Sequence, residues 1–270
     1  VVCAVGSSDQ AGQAADSCCR LMAKRVGSAP QVLCLGEALV DRLGPLGGNP
    51  AKALPTDCDD RLGGAPANVA FALARLGTPV AFLGRLGDDA IGSSFQELLR
   101  DRGVDLRGLQ IDGHRPSRIV LVRRDATGER TFQGFAGDQG QGFADQGLNR
   151  DQLAIAWPAF VASARWLLVG TIPLATPESS EALHWVIEQV DQSQLRLALD
   201  VNWRSTFWDP LADPAAGPSP ECLAAMAPLL DRASLIKLAR EEAIWLFNSD
   251  QPEAIRACLP THPDVVVTDG

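Results

Sequence analysis

Short apolar runs alternate with helical patterns along this chain, and that alternation restricts its fold more than any other feature. The runs at Val32–Gly36, Val80–Gly84, Trp166–Gly170, Leu197–Val201, Leu235–Leu238 and Val265–Thr268 are continuous or nearly so, as in strands buried on both faces. Near Ala67–Leu76 the side chains of Val69, Leu73 and Leu76 share a stripe, with Pro66 where helices start and Gly77 where they stop. Near Ala90–Arg102 a second stripe holds Ile91, Phe95, Leu98 and Leu99, with Asp88 or Asp89 as the cap and Gly103 as the stop. Helical patterns near Pro177–Val190, Pro220–Leu230 and Arg240–Phe247 continue the series. The expected architecture is α/β, a predominantly parallel sheet with helices on both faces.

One segment breaks the pattern. Arg118–Arg124 and Arg130–Phe135 flank Asp125-Ala126-Thr127-Gly128-Glu129 and read as an antiparallel hairpin. A hairpin inserted into a parallel α/β chain has to sit outside the main sheet. With the irregular stretch Asp41–Leu62 it is expected to form a small antiparallel β lid, its segments at about 41–62 and 115–136. Gly137–Gly147 reads as a polar connector. Residues 1–31 carry no apolar periodicity and read as a leader outside an α/β domain at 32–270, with Met22 as the natural start. At the other end the strand Val265–Thr268 is followed by Asp269-Gly270 with nothing for the turn to lead into. Both ends read as fragment boundaries.

Charge and motif content remove several functions. Lys and Arg number 24 against 33 Asp and Glu, a net charge of −9, so no overall basic field is available to hold nucleic acid or an anionic membrane. No apolar run approaches the roughly 18 residues of a membrane helix. The seven cysteines are scattered without a C-x-x-C, which indicates neither a zinc site nor a disulfide framework and points to a reducing cytoplasm. G-x-G-x-x-G, the P-loop pattern and G-x-S-x-G are missing, against a Rossmann dehydrogenase, a P-loop enzyme and an α/β-hydrolase. His114, His184 and His262 are far apart in sequence and read as incidental.

The most informative stretch is Gly63-Gly64-Ala65-Pro66-Ala67-Asn68-Val69-Ala70, followed by Gly77 and by Gly84-Arg85-Leu86-Gly87-Asp88. Paired glycines let backbone amides approach a ligand, and a helix opening just after them aims its free N–H groups at the same place. Asn68 adds a donor and an acceptor, the equipment for a polyol. A tight strand-to-helix turn with Asn68 as a local cap explains the segment equally well.

The spacing G-G-A-P-x-N-x-A, six residues, Gly77, nine residues, Gly87 resembles the N-terminal signature of the ribokinase-like (PfkB) carbohydrate kinases. Gly36–Asp41 resembles that family's opening strand, Pro116–Phe132 its lid hairpin, and Asp200-Val201-Asn202-Trp203-Arg204 its D-x-N-x-R element, with the fructokinases as the most similar members. The resemblance implies a cytoplasmic, ATP- and Mg²⁺-dependent kinase acting on a primary hydroxyl of a small-molecule sugar, fructose first, and a homodimer formed through the lid. It places Asp41, Gly64, Asn68 and Arg204 on the sugar, and Asn202, Thr268 and Gly270 on the nucleotide. Glu242 aligns with the family's metal-tuning N-x-x-E element, although Ala239 stands at the Asn position and a solvated helix-face carboxylate explains Glu242 equally well. The G-A-G-D segment that supplies the catalytic Asp base falls beyond Gly270, so no residue here is assigned as the base. The alternatives are a 2-keto-3-deoxygluconate kinase, then a nucleoside kinase, to which a chain with no Tyr offers little for a purine base, or a sugar- or nucleotide-binding protein without catalysis.

Overall fold

The computed structural model describes residues 29–269. The chain enters at Pro30 and Gln31, where the Gln31 N–H donates to Pro79 O (2.8 Å) and the Arg165 N–H donates to Gln31 O (2.8 Å). Of the leader at 1–31 and the family-derived site residues, residues 1–28 and Gly270 lie outside the described residues.

In chain order the elements are β1 (Val32–Leu35), β2 (Leu39–Leu46), β3 (Asp59–Gly63), α1 (Ala65–Leu76), β4 (Val80–Gly87), α2 (Ala90–Asp101), β5 (Leu109–Asp112), β6 (Ile119–Arg124) and β7 (Arg130–Ala136). They continue with α3 (Arg150–Ala156), α4 (Pro158–Val161), β8 (Trp166–Gly170), α5 (Pro177–Asp191), β9 (Arg196–Asp200), α6 (Ser205–Trp208), α7 (Pro220–Leu230), β10 (Ala233–Ala239), α8 (Arg240–Phe247), α9 (Pro252–Cys258) and β11 (Asp264–Thr268). Seven strands form a sheet in the order β11-β10-β9-β8-β1-β4-β5, every neighbouring pair parallel. The pleat sends alternate side chains to opposite faces. In β1, Leu33 and Leu35 join a core with Leu183 and Val186 of α5, whereas Cys34 joins Ala70 and Ala74 of α1 and Phe95 of α2 on the other face.

From β1 the order runs one way to β4 and β5, and from β8 the other way to β9, β10 and β11. The switch point between β1 and β8 is therefore where an open α/β sheet leaves a crevice at its carboxyl ends. The second sheet stands over that crevice. Its order is β3-β2-β6-β7, and it is mixed: β2 runs antiparallel to β3 and parallel to β6, while β6 and β7 make the expected hairpin.

Three local expectations are corrected. Asp41–Leu62 is not simply irregular, because it carries β2 from Asp41 onward and most of β3. Gly44, Pro45, Gly47, Gly48 and Pro50 break its apolar pattern, and charges face outward across the register, as in the Arg42–Asp60 ion pair at 2.6 Å. The buried stripe of α1 is Ala67, Ala70 and Ala74, and Leu76 is 82% exposed. Small side chains let this helix lie close to the sheet, so the large residues that dominate the periodicity are pushed to its flanks. Gly137–Gly147 is no polar connector throughout: Phe143 and Ala144 are buried, and Asp145 pairs with the buried Arg118 (2.9 Å). The α2 cap is settled as Asp89, which accepts from Gly92 N–H at 2.8 Å.

Candidate functional site

A cleft of about 710 Å³ lies between the carboxyl ends of the main sheet and the inner face of the small one. Its apolar wall includes Leu39, Val120, Phe132, Ile172 and Phe207, and its polar groups include Glu37, Asp41, Asn68, Arg130, Asn202, Arg204, Glu241 and Glu242. Four of the substrate residues expected from sequence, Asp41, Gly64, Asn68 and Arg204, come together here, and Asn202 joins them. Thr268 is not among the lining residues; it ends β11, and its hydroxyl donates to Leu238 O at 3.3 Å.

Asp41 stands on β2, paired in register with Arg61 of β3. It is half-buried, and burial raises its pKa while the guanidinium groups of Arg130 and Arg204 pull it back down. A carboxylate so placed is a hydrogen-bond acceptor on the wall of the cleft. Of the two glycines beside it, Gly64 is required by space, whereas a side chain at Gly63 would press only on the tip of Asp41. A Cβ at Gly63 would come 2.8 Å from Asp41 Oδ2, and one at Gly64 would come 2.5 Å from Glu37 O and 3.0 Å from Ala38 Cα. Gly64 also holds φ at +98°, in the left-handed region that favours glycine. We expect Gly64→Ala to destabilise the protein by about 1–3 kcal/mol and to raise the sugar KM at least about tenfold, because the displaced main chain carries α1 and Asn68. Thermal melting and sugar saturation curves check both; a variant matching the parent in both contradicts this reading of the turn.

Asn68 is exposed toward the cleft, and Gly64, not Asn68, is the α1 cap, with no side-chain cap bond. The local-cap explanation of Asn68 is therefore set aside. Beyond β9 the chain turns through Asn202, which has φ at +42°, into Trp203 and Arg204. Arg204 Nη1 donates to Trp203 O at 2.7 Å. Asp200 pairs with Lys237 of β10 at 3.1 Å.

Glu242 is only 4% exposed, so it is not the solvated helix-face carboxylate that sequence allowed. Its Oε1 accepts from Trp203 N–H and its Oε2 from Ala239 N–H, each at 2.7 Å. Burial raises its pKa against the pull of these two N–H groups. With both oxygens bonded to main chain, Glu242 fits a clamp between the β9 and β10 loops. Among the described residues no three His, Cys, Asp or Glu side chains converge as a metal cage.

Sequence reading missed Glu37 and Arg130. Glu37 sits inside the Gly36–Asp41 segment, where a charge between two apolar runs was the available signal; Arg130 had none, since only the folding of β7 over the sheet brings it opposite Asp41.

Fold and cleft together define a ribokinase-like α/β domain with its ligand groups at the sheet switch point. The family model "pfkB family carbohydrate kinase" matches residues 29–270. A fructokinase of Klebsiella pneumoniae is 32% identical over 220 residues, 82% of this chain and 64% of that one. An apo fructokinase structure from Vibrio cholerae O395 matches with a TM-score of 0.70 at 29% identity, covering 90% of this chain and 76% of that one. A fructokinase structure from the same organism with fructose, ADP and calcium ion bound matches with a TM-score of 0.67 at 27% identity, covering 90% and 71%. This chain belongs to the pfkB family of carbohydrate kinases. It spans about two thirds of the length of the curated relatives it matches.

No helix among the described residues is long and apolar enough to cross a membrane.

Proposed function

We propose that this protein is a fructokinase, transferring the γ-phosphoryl group of ATP to a primary hydroxyl of fructose. The observation that carries the reading is the convergence of Asp41, the Gly63-Gly64 turn and Asn68 on one cleft at the sheet switch point. Asp41 accepts hydrogen bonds from two neighbouring sugar hydroxyls, and Asn68 both donates to and accepts from a third. Arg204, at the opposite wall, meets the anionic side of the reaction, and Asn202 beside it orients the nucleotide phosphates. Mg²⁺, where bound to those phosphates, would neutralise part of their charge, with Asn202 positioned to orient them. Most of the rate in such a transfer comes from alignment and charge stabilisation, and the small sheet over the cleft excludes the water that would otherwise compete for the phosphoryl group.

The fructokinases among the relatives and matched structures support fructose over other sugars, and the fructose- and ADP-bound match supports the nucleotide. A second reading, a 2-keto-3-deoxygluconate kinase, has one observation in its favour: Arg130 and Arg204 both face Asp41, and a guanidinium pair suits a sugar acid. An acceptor screen on the complete protein decides between them, with ADP release measured for fructose, ketodeoxygluconate and adenosine. Fructose is expected to give the highest kcat/KM; preference for either of the others overturns the assignment. The same reading includes a cytoplasmic location, supported by the free thiols of Cys34, Cys58, Cys222 and Cys258, and pairing of two copies through the small sheet, which sedimentation measures.

A further inference from the structure

Glu37 is a buried carboxylate to which the proposed chemistry assigns no task. It follows β1 at the switch point and is 2% exposed. Its Oε1 accepts from Ala65 N–H, the first residue of α1, at 2.9 Å. Its Oε2 has no hydrogen-bond partner among the described residues. The main chain around it is interlocked with the same helix start: Gly64 packs so closely on Glu37 O that no Cβ fits, and a Cβ at Gly36 would come 2.6 Å from Pro66 Cγ. Asp41 lies four residues after Glu37, and Asn68 three residues after Ala65.

We propose that Glu37 is the positioning residue of the sugar subsite, its carboxylate gripping the first turn of α1 so that Asn68 and Gly64 are held in register with Asp41. This rests on the sugar-kinase reading of the cleft and deepens it, since Glu37 acts through those residues and makes no contact with the reacting atoms.

The grip depends on charge. Burial, with the carboxylates of Asp145 and Asp200 facing it, pushes the Glu37 pKa up to about 7 against the pull of the Ala65 N–H and its own N–H. Asp145 is itself paired with Arg118, and Asp200 with Lys237. When protonated, Glu37 carries the proton on the unpartnered Oε2 and keeps a neutral hydrogen bond to Ala65. When ionised, it makes a charge-assisted bond, roughly twice as strong, at the positive end of α1. The sign follows from the raised pKa: burying the ionised carboxylate costs more than its bond to the Ala65 N–H returns, so the subsite is held less firmly above pH 7 than below it. None of the three histidines lines the cleft, so no imidazole there supplies the same titration.

The test is calorimetric binding of fructose, or of the best acceptor from the screen, to the complete protein without nucleotide, so that ATP ionisation does not enter. The dissociation constant is expected to rise about fivefold from pH 6 to pH 8, with an inflection near pH 7. In Glu37→Gln the affinity is expected to be independent of pH and close to the pH 6 value of the parent. The parental curve needs no variant, so a Glu37→Gln protein that fails to fold leaves the test intact. An affinity that is flat between pH 6 and 8, that strengthens with rising pH, or that keeps its inflection in Glu37→Gln overturns the inference. Asp41→Ala separates this from the parent reading: loss of binding there with a flat parental pH curve removes the role of Glu37 alone, whereas unchanged binding in Asp41→Ala, or no sugar bound at any pH, removes the sugar subsite and the inference with it.

Discussion

Asp41→Ala is expected to lower kcat/KM for the sugar by about 100-fold or more in a protein that still folds. Two hydrogen bonds from sugar hydroxyls to a carboxylate are lost, each worth about 1.5–3 kcal/mol, and roughly 1.4 kcal/mol is a factor of ten. Folding is spared because Asp41 makes no side-chain bond that holds β2 to its neighbours; the strand is held through main-chain pairing with β3 and β6. Steady-state kinetics with thermal melting in parallel measure this. Unchanged kinetics in a folded variant remove Asp41 from the sugar.

Arg118→Ala is expected to be the most damaging single change to the fold, at about 3–5 kcal/mol, or a fall in Tm of about 10 °C for a domain of this size. Arg118 and Asp145 are 3% and 4% exposed, and Arg118 Nε donates to Asp145 Oδ2 at 2.9 Å and Oδ1 at 3.2 Å. The guanidinium also lies among three aromatic rings, 4.8 Å from the centroid of Phe135, 4.4 Å from Phe143 and 4.5 Å from Phe207. Its removal leaves a buried carboxylate unpaired and opens a hole between β7 and α6, beneath the wall of the cleft. The double variant Arg118→Met with Asp145→Leu is expected to recover most of the loss, because replacing a buried pair by apolar groups is often close to neutral. A single variant melting within about 2 °C of the parent contradicts this account.

The inner strands β1, β4, β8 and β9 of the main sheet were legible because burial on both faces leaves an apolar run that needs no partner to be recognised, whereas β11, at the edge, was legible from its valines although Val266 is 47% exposed. Helices α1 and α2 were legible through their apolar stripes and the Pro, Asp and Gly residues at their ends, and α5, α7 and α8 as helical patterns continuing the alternation. β5 was not: Leu109-Gln110-Ile111-Asp112 lies at the sheet edge, and its Gln110 and Asp112 are buried only because other segments satisfy them, Gln110 through the main chain of Asn149 and Asp112 through Arg115. The short helices α3, α4, α6 and α9 span too few turns to show a period.

Sequence by itself pointed to the family, the parallel α/β frame and four residues that the fold brings to one cleft, Asp41, Gly64, Asn68 and Arg204, because each belongs to a local pattern of fixed spacing. Only the tertiary structure decided which carboxylates are buried and what faces them. Glu37, Asp145 and Glu242 look alike in sequence, yet one grips a helix start, one neutralises a buried guanidinium and one clamps two loops. A charged residue's role depends on its desolvation and its partners, and those partners stand 28 residues away for Glu37, 27 for Asp145 and 39 along the chain for one of the two bonds of Glu242. Local spacing carries no record of contacts made across that distance.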